Sequence, residues 1–575
     1  MSRAARAAAA LVLVVLLTGC VGLPRSGPVI DANVPGDQSG DPVSSFDGRS
    51  PQPGDSRLAI VNGFLEAMMA WPISTSAAKE YLAEDAAEEW DPTSTVVYSD
   101  LATPQERGSS VSIRMRDAAL LDESGGWRGA VPADRSTLTF QLTVEDGEFR
   151  ILNPMDALVV RTSWFHDRYR QASLYYFDPT GEVLVPEPVF VPVGDTFATS
   201  LVTALLAGPP PRLRDVVTSY LPDNLTVGLS VPVIDGVATL DLSGDALTPS
   251  PAVAELILAQ LAATVRQEPT IRALRVTIGG ELLDPPGSET TYDVRATDDY
   301  DAADTGSAGV LYGLRRGRVV AGSFDDLREV DGPLGREPHD YRSMAVSPVG
   351  DRIAAVSADG REVTVAPLRS PRNEVDTLPA GGTAFARPAW DASGRLWLLD
   401  RRPGGARVLV SEDGVRVREV QVFGVSGSAA RRILVSRDGT RLVALVSRPG
   451  GDQLVSARVV LDQSGRIARI VESTVIRSFE GDQRAIDVAW TGPAEIALLL
   501  PARPGELFEV QAVSVDGATV EGGTPSTFVP GRAIGLAGEP DPETPVYAVA
   551  RDELGDVRTG VRYPVKPVRE LDYGG

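Results

Sequence analysis

With 78 acidic against 55 basic side chains in 575 residues, the chain carries a formal net charge of −23, which argues against nucleic acid, bound mainly through neutralised phosphates, and against a polybasic attachment to anionic lipid. A single cysteine leaves no second thiol for a disulfide, two histidines exclude a three-histidine metal site, and no cofactor is expected. The length suits about three or four domains, and the 43 % hydrophobic share is ample for several cores.

The chain opens on Met1-Ser2-Arg3-Ala4-Ala5-Arg6, a basic flank, and continues over 7–17 as an uninterrupted apolar run. Roughly a dozen apolar residues are too few for a bilayer, which needs about twenty at a helical rise of about 1.5 Å. Residues 1–19 therefore read as a secretory signal segment closed by small residues. Leu17-Thr18-Gly19-Cys20 resembles a bacterial lipobox. That resemblance implies cleavage before Cys20 and its acylation, with S-diacylglycerol on the thiol and an acyl group on the new amino terminus. The mature chain would hang from the outer side of the cell membrane, with the lipid bilayer as its first partner, because multiple acyl chains hold where one is marginal. Over 20–55, Pro28, Pro35-Gly36-Asp37 and Pro51-Gln52-Pro53-Gly54 punctuate a stretch with too little apolar surface to offset chain entropy. It reads as a disordered tether spanning on the order of 30 Å.

A first unit, 56–165, begins with Leu58, Val61, Leu65, Met68 and Trp71 at helical spacing, ended by Pro72, and a second helix is expected over 76–89. The period then changes. Val111, Ile113 and Met115 alternate with polar residues, as do Leu138, Phe140, Leu142 and Val144, and Asp146-Gly147 makes a hairpin turn. Helices followed by an antiparallel sheet suggest an α+β domain of the nuclear-transport-factor or cystatin type.

In a second unit, 168–284, strands are expected over 173–177 and 182–193, the latter an edge strand because of its prolines. Thr196 can cap a helix carrying Phe197, Leu201 and Leu205, and Ser250-Pro251 opens another with Val253, Leu256, Ile257, Leu261 and Val265 aligned. Asp235-Gly236 joins a hairpin, and a strand over 271–278 closes the unit. Leu205-Leu206-Ala207-Gly208-Pro209-Pro210, Asp235-Gly236-Val237-Ala238-Thr239-Leu240-Asp241-Leu242-Ser243 and Ile278-Gly279-Gly280 together resemble the spore-germination GerMN module. The resemblance implies an extracytoplasmic interaction domain with no known chemistry. Residues 285–308, ending in an acidic run, read as a solvated linker without the spacing of a calcium loop.

The remainder, 309–575, carries an internal repeat. Ala345-Val346-Ser347-Pro348-Val349-Gly350-Asp351 recurs as Ala389-Trp390-Asp391-Ala392-Ser393-Gly394-Arg395, as Val435-Ser436-Arg437-Asp438-Gly439-Thr440, and loosely at Ala489-Trp490. A period of about 45 to 55 residues marks propeller blades, five to seven of them in this length, with 561–568 completing the first. Trp390 and Trp490 occupy corresponding positions and are expected between blades. The fold class is thus multidomain: two α+β domains followed by an all-β propeller.

No G-x-S-x-G elbow and no G-x-x-x-x-G-K loop occurs, and His166 and His339 read as a boundary and a loop residue. Catalytic and metal residues are therefore not assigned, and the weight moves to binding. The order of parts resembles the actinobacterial LpqB lipoprotein family over essentially the full chain. That resemblance implies a cell-surface accessory of the MtrAB two-component system that touches the extracellular part of an MtrB-like sensor histidine kinase and influences cell-wall homeostasis and division. Two alternatives remain: a propeller-based envelope hydrolase, with carboxylates or His339 at the central mouth, and a carrier of cell-wall fragments with an aromatic-lined cleft between the second and third units.

Overall fold

The computed structural model describes residue 46 and residues 48–575, apart from 229, 246–248, 285–286, 288–289, 303–306, 480, 482, 504–505 and 519–525. In the first module the helix Arg57–Ala67 starts where the Ser56 hydroxyl accepts from the Ala59 amide, and it buries Ile60, Val61, Phe64 and Leu65. These residues pack on the antiparallel strands Ser110–Arg116, Thr137–Glu145 and Glu148–Ile151, where Val111 stands opposite Phe140 and Ile113 opposite Leu138. Such a register sends every apolar side chain to one face. Asp146 and Gly147, both at positive φ (51° and 83°), close the hairpin.

Two expectations need correction here. The helix expected over 76–89 is broken into Ser76–Lys79 and Glu84–Glu89, because Tyr81 and Leu82 drop into the core and the Ala83 amide donates to the Ile151 carbonyl. A second sheet, Trp127–Ala130, Ala119–Leu121, Ser94–Tyr98 and Ala157–Arg161, ends in a parallel pair, so the module is not purely antiparallel.

The second module pairs Tyr169–Phe177 with Leu184–Pro192 over nine positions. Beside this hairpin, Val237–Ser243 and Ala273–Ile278 run parallel, connected by the helix Pro251–Val265, whose first turn is capped by the Ser250 hydroxyl. Asp235 and Gly236, at φ 52° and 82°, turn the chain into Val237–Ser243. The Thr196 side chain makes no cap bond to the helix Phe197–Leu206. Within the expected linker 285–308, the described residues 292–301 are not simply solvated. Tyr292–Asp293 joins the sheet beside Ala273, the 3-10 helix Val294–Tyr300 follows, Tyr292 and Val294 enter the core, and Arg266 holds Asp298 at 3.0 Å and Asp301 at 2.7 Å. Apolar residues at 292 and 294 outweigh the acidic run, and one arginine answers it.

The third module contains six four-stranded antiparallel sheets among the described residues, ringed about inner strands. From inside outward, blade 4 is Ala429–Val435, Arg441–Arg448, Gly451–Leu461 and Ile467–Ser478, and the others repeat this order. Trp390 donates its indole N–H to the Ala345 carbonyl of the preceding blade, and Trp490 to that of Val435, so both tryptophans stitch neighbouring blades. The closing strand lies later than 561–568. Arg562–Pro564 is the outer strand of blade 6, and Arg569–Tyr573 is the inner strand of blade 1 beside Leu311–Arg315, with Leu571 and Tyr573 buried. Closure of this kind leaves no free inner edge.

Candidate functional site

All three modules meet at Glu187. The strand Leu184–Pro192 is apolar around this one charge and is an edge strand, paired among the described residues only with Tyr169–Phe177, as its prolines suggested. Every residue in it except Pro192 is nevertheless buried, with the first module packed on Phe190 and the propeller on Glu187. The Glu187 carboxylate accepts from Arg212 at 2.5 Å through one oxygen, and through the other from Arg441 at 3.1 Å and from Arg458. Arg441 and Arg458 face each other across the second and third strands of blade 4. Arg212 also approaches Asp122 of the first module at 3.6 Å, and Asp122 is held in a turn by the Ser124 and Gly126 amides.

Next to Asp122, the Gly125 carbonyl accepts from the Phe190 amide at 2.8 Å. Gly125 sits at φ 80°, and a Cβ there would come within 2.3 Å of the Phe190 carbonyl oxygen, so this approach requires glycine. Burial would raise the Glu187 carboxyl, but Arg458, Arg441 and Arg212 together outweigh it and hold it below the usual range. Arg441 is lowered to about 9 by burial and by its like-charged neighbour Arg458, against the pull of Glu187. Held ionised, paired through both oxygens and out of water, this carboxylate is placed for fastening and not for proton transfer. The junction extends through Gln171 donating to Ser514, an Arg469–Asp215 pair at 2.5 Å, Val460 in the second module's core and Ala518 in the first module's core.

A narrow cleft lies alongside, where Tyr175 and Pro186 face Asp438, Trp490 and Pro540. Its two rings are only 8 % and 7 % exposed, so they present little surface to a ligand. In the propeller's central channel, Arg387 binds Asp572 at 2.6 Å and Glu570 at 3.1 Å, and Arg432 lies 3.3 Å from Asp487. Burial works against the Arg387 charge, but Glu570, Asp572 and Asp487 overcome it and raise its pKa. The channel carboxylates are thus engaged by arginines.

His339, in the loop before blade 2, stacks on Tyr341, which opens that blade's inner strand Tyr341–Val346, and His166 lies edge-on to Phe165 in the helix Thr162–Arg168. The structure brings neither to the other nor to the junction. Among the described residues no three His, Cys, Asp or Glu side chains gather as a metal group would, and no helix is long and apolar enough to cross a membrane. Leu17, Thr18, Gly19 and Cys20, with the signal segment and most of the tether, lie outside the described residues. Sequence reasoning missed Glu187. Its signal was a lone charge between two prolines in an otherwise apolar run, which calls for a buried partner.

Three family models match the chain in the order of its modules: the N-terminal domain of lipoprotein LpqB over 50–166, the sporulation and spore germination model over 173–284, and the LpqB beta-propeller domain over 317–558. The chain belongs to the LpqB lipoprotein family. Lipoprotein LpqB of Thermobifida fusca is 28 % identical over 577 residues, covering 90 % of each chain. That of Streptomyces coelicolor is 27 % identical over 590 residues, covering 96 % of this chain and 94 % of its own. Among solved structures, TolB from Acinetobacter baumannii aligns with 54 % of this chain and 85 % of its own at 14 % identity and a TM-score of 0.32. The LpqB family is not a known enzyme family. The Glu187 junction draws on all three matches: Asp122 lies in the LpqB N-terminal match, Glu187 and Arg212 in the germination match, and Arg441 and Arg458 in the LpqB propeller match.

Proposed function

We propose that this LpqB-family lipoprotein is a lipid-anchored accessory on the extracytoplasmic face of the membrane that binds the outer domain of an MtrB-like sensor histidine kinase and thereby influences cell-wall homeostasis and division, without chemistry of its own. The observation that carries the reading is the family match along at least 90 % of the chain, in a family whose resemblance implies that partner. The physics supports it. Acylation of Cys20, with cleavage before it, confines the body to a thin layer above the bilayer and raises its effective concentration around a membrane partner, so that weak contacts suffice. A junction that fastens three modules through one buried carboxylate suits a body that must present a fixed surface. Signalling then changes if the bound body favours one kinase conformation, since only differential affinity shifts a population.

The test is capture of the purified sensor ectodomain by the full chain carrying Cys20→Ser. Saturable capture is the expected result; none, with the chain folded, would overturn the reading. The carrier alternative is weakened by the covered rings of Tyr175 and Trp490, and the hydrolase alternative by the arginine-bound channel carboxylates.

A further inference from the structure

Strands alternate in direction across each blade, so the turns between second and third strands, together with the loops leading into the next blade, lie on one face of the ring, and the remaining turns lie on the other. The hydrogen bonds and ion pairs that tie the second module to the propeller at Arg441, Arg458, Arg469 and Ser514 land on that other face. The first face is left open. Each of its six second-to-third turns carries an exposed arginine in it or at the strand end that enters it: Arg316, Arg361, Arg401, Arg448, Arg503 and Arg551.

These arginines differ from their counterparts across the ring. On the covered face most exposed arginines of the outer turns are matched locally by an acid, Arg372 with Glu374, Arg416 with Asp413 and Arg466 with Asp462, while Arg558 bonds the Pro542 carbonyl and Arg369 is the exception. On the open face Arg316, Arg361, Arg503 and Arg551 make no ion pair or side-chain hydrogen bond among the described residues, the Arg361 side chain acting on Asp359 only through space, while Arg401 donates to the Ala384 carbonyl and Arg448 to that of Gly424. Burial, with the like charges of Arg342 and Arg431, pushes the Arg401 pKa down, which marks a local excess of positive charge. A net charge of −23 therefore averages over a sided distribution. Phe423, 84 % exposed, stands on the same face in the loop into blade 4, with Val475 49 % exposed on that blade's outer strand.

We propose that this open face, ringed by those six arginines and carrying Phe423 at its rim, docks an acidic surface of a protein partner. Arginine and exposed aromatic residues are the side chains most enriched where protein surfaces bind tightly, and a cluster of both in an acidic molecule is complementary to few other things. Two observations favour a protein over the anchor's own bilayer. The turns also carry Asp359, Glu506 and Asp552, a mixed pattern that a specific surface can match in register and that a uniformly anionic one repels. The tether joins the first module, where Phe46 pairs with Trp71, and that module reaches the propeller from the covered side through Ala518. The proposal rests on the partner-binding reading above and adds the surface that performs it.

The experiment compares the full chain carrying Cys20→Ser with its Arg361→Glu/Arg503→Glu/Arg551→Glu derivative on immobilised sensor ectodomain at about 0.15 M salt. The triple reversal is expected to weaken binding at least about tenfold, chiefly through slower association, and the difference should shrink at high salt. Phe423→Ala is expected to speed dissociation, and Arg372→Glu/Arg466→Glu on the covered face to change neither rate. The reversed side chains are exposed and have no ion pair or side-chain hydrogen bond to lose, so a thermal melt should move little, and an unshifted melt shows that weak binding is not misfolding. Equal binding by the triple variant would overturn the docking surface and leave the partner reading standing. No capture by the parent chain would overturn both, and capture by anionic vesicles alone would overturn a protein as the occupant.

Discussion

Where the propeller meets the second module, Arg441 and Arg458 are buried and converge on the Glu187 carboxylate; on the opposite face Arg361, Arg503 and Arg551 stand exposed, and among the described residues none of them closes an ion pair with the carboxylates of its turn. The two sets lie in one domain and differ in their surroundings. Out of water an unpaired guanidinium is too costly to keep, so every buried arginine at the junction has an acid, and its role is architectural. In water an unpaired guanidinium costs little, so spare charge can be held ready for another molecule. Side chains of one type therefore hold the body together on one side and remain available on the other.

Breaking the buried side should have the larger effect. Glu187→Gln leaves three arginines around a neutral amide and should cost about 4 kcal/mol, read as a lower denaturant midpoint or as separation of the unfolding into two transitions. A change under about 1 kcal/mol would mean that the junction is not held electrostatically. The same site sets a pH dependence. Because Glu187 is held below its unfolded value of 4.5, its contribution is fully present above that pH and is lost as pH falls through the folded-state value. The acid limb of the stability curve below pH 4.5 should accordingly be shallower in Glu187→Gln than in the parent.

Gly125→Ala tests the backbone approach between the first two modules. At φ 80°, with the Phe190 carbonyl 2.3 Å from the added carbon, it should cost about 2 kcal/mol in chemical unfolding. The smallest effect sharpens the comparison from the other side: Arg361→Glu should move stability by no more than about 0.5 kcal/mol while slowing association with the partner. A destabilisation like that of Glu187→Gln would erase the distinction between the two faces.

Periodicity made the helix at Arg57–Ala67 and the alternation at Ser110–Arg116 legible, and the repeated turn motif with its tryptophans revealed the propeller. These signals are local, each set by one element's own burial. What stayed hidden was set by distant contacts. The parallel pairing of Ser94–Tyr98 with Ala157–Arg161 joins segments some sixty residues apart, and Val294–Tyr300 packs because Arg266 and the core claim it despite its acidic neighbours. The closing strand moved to Arg569–Tyr573 because Leu571 and Tyr573 fit the first blade's core, a matter of register that composition does not carry. At the candidate site, Glu187 was visible only as a charge in the wrong company. The arginine turns were visible singly, and their common face required the topology.

The central claim is that confinement and contact, without bond-making, let this chain act on a membrane kinase. The most direct measurement is the autophosphorylation rate of the full-length sensor kinase in membranes containing either the acylated chain or its Cys20→Ser form at equal amounts. The account predicts a rate altered severalfold by the anchored chain and much less by the unanchored one, as effective concentration requires. An unchanged rate with the anchored chain bound beside the kinase would contradict it.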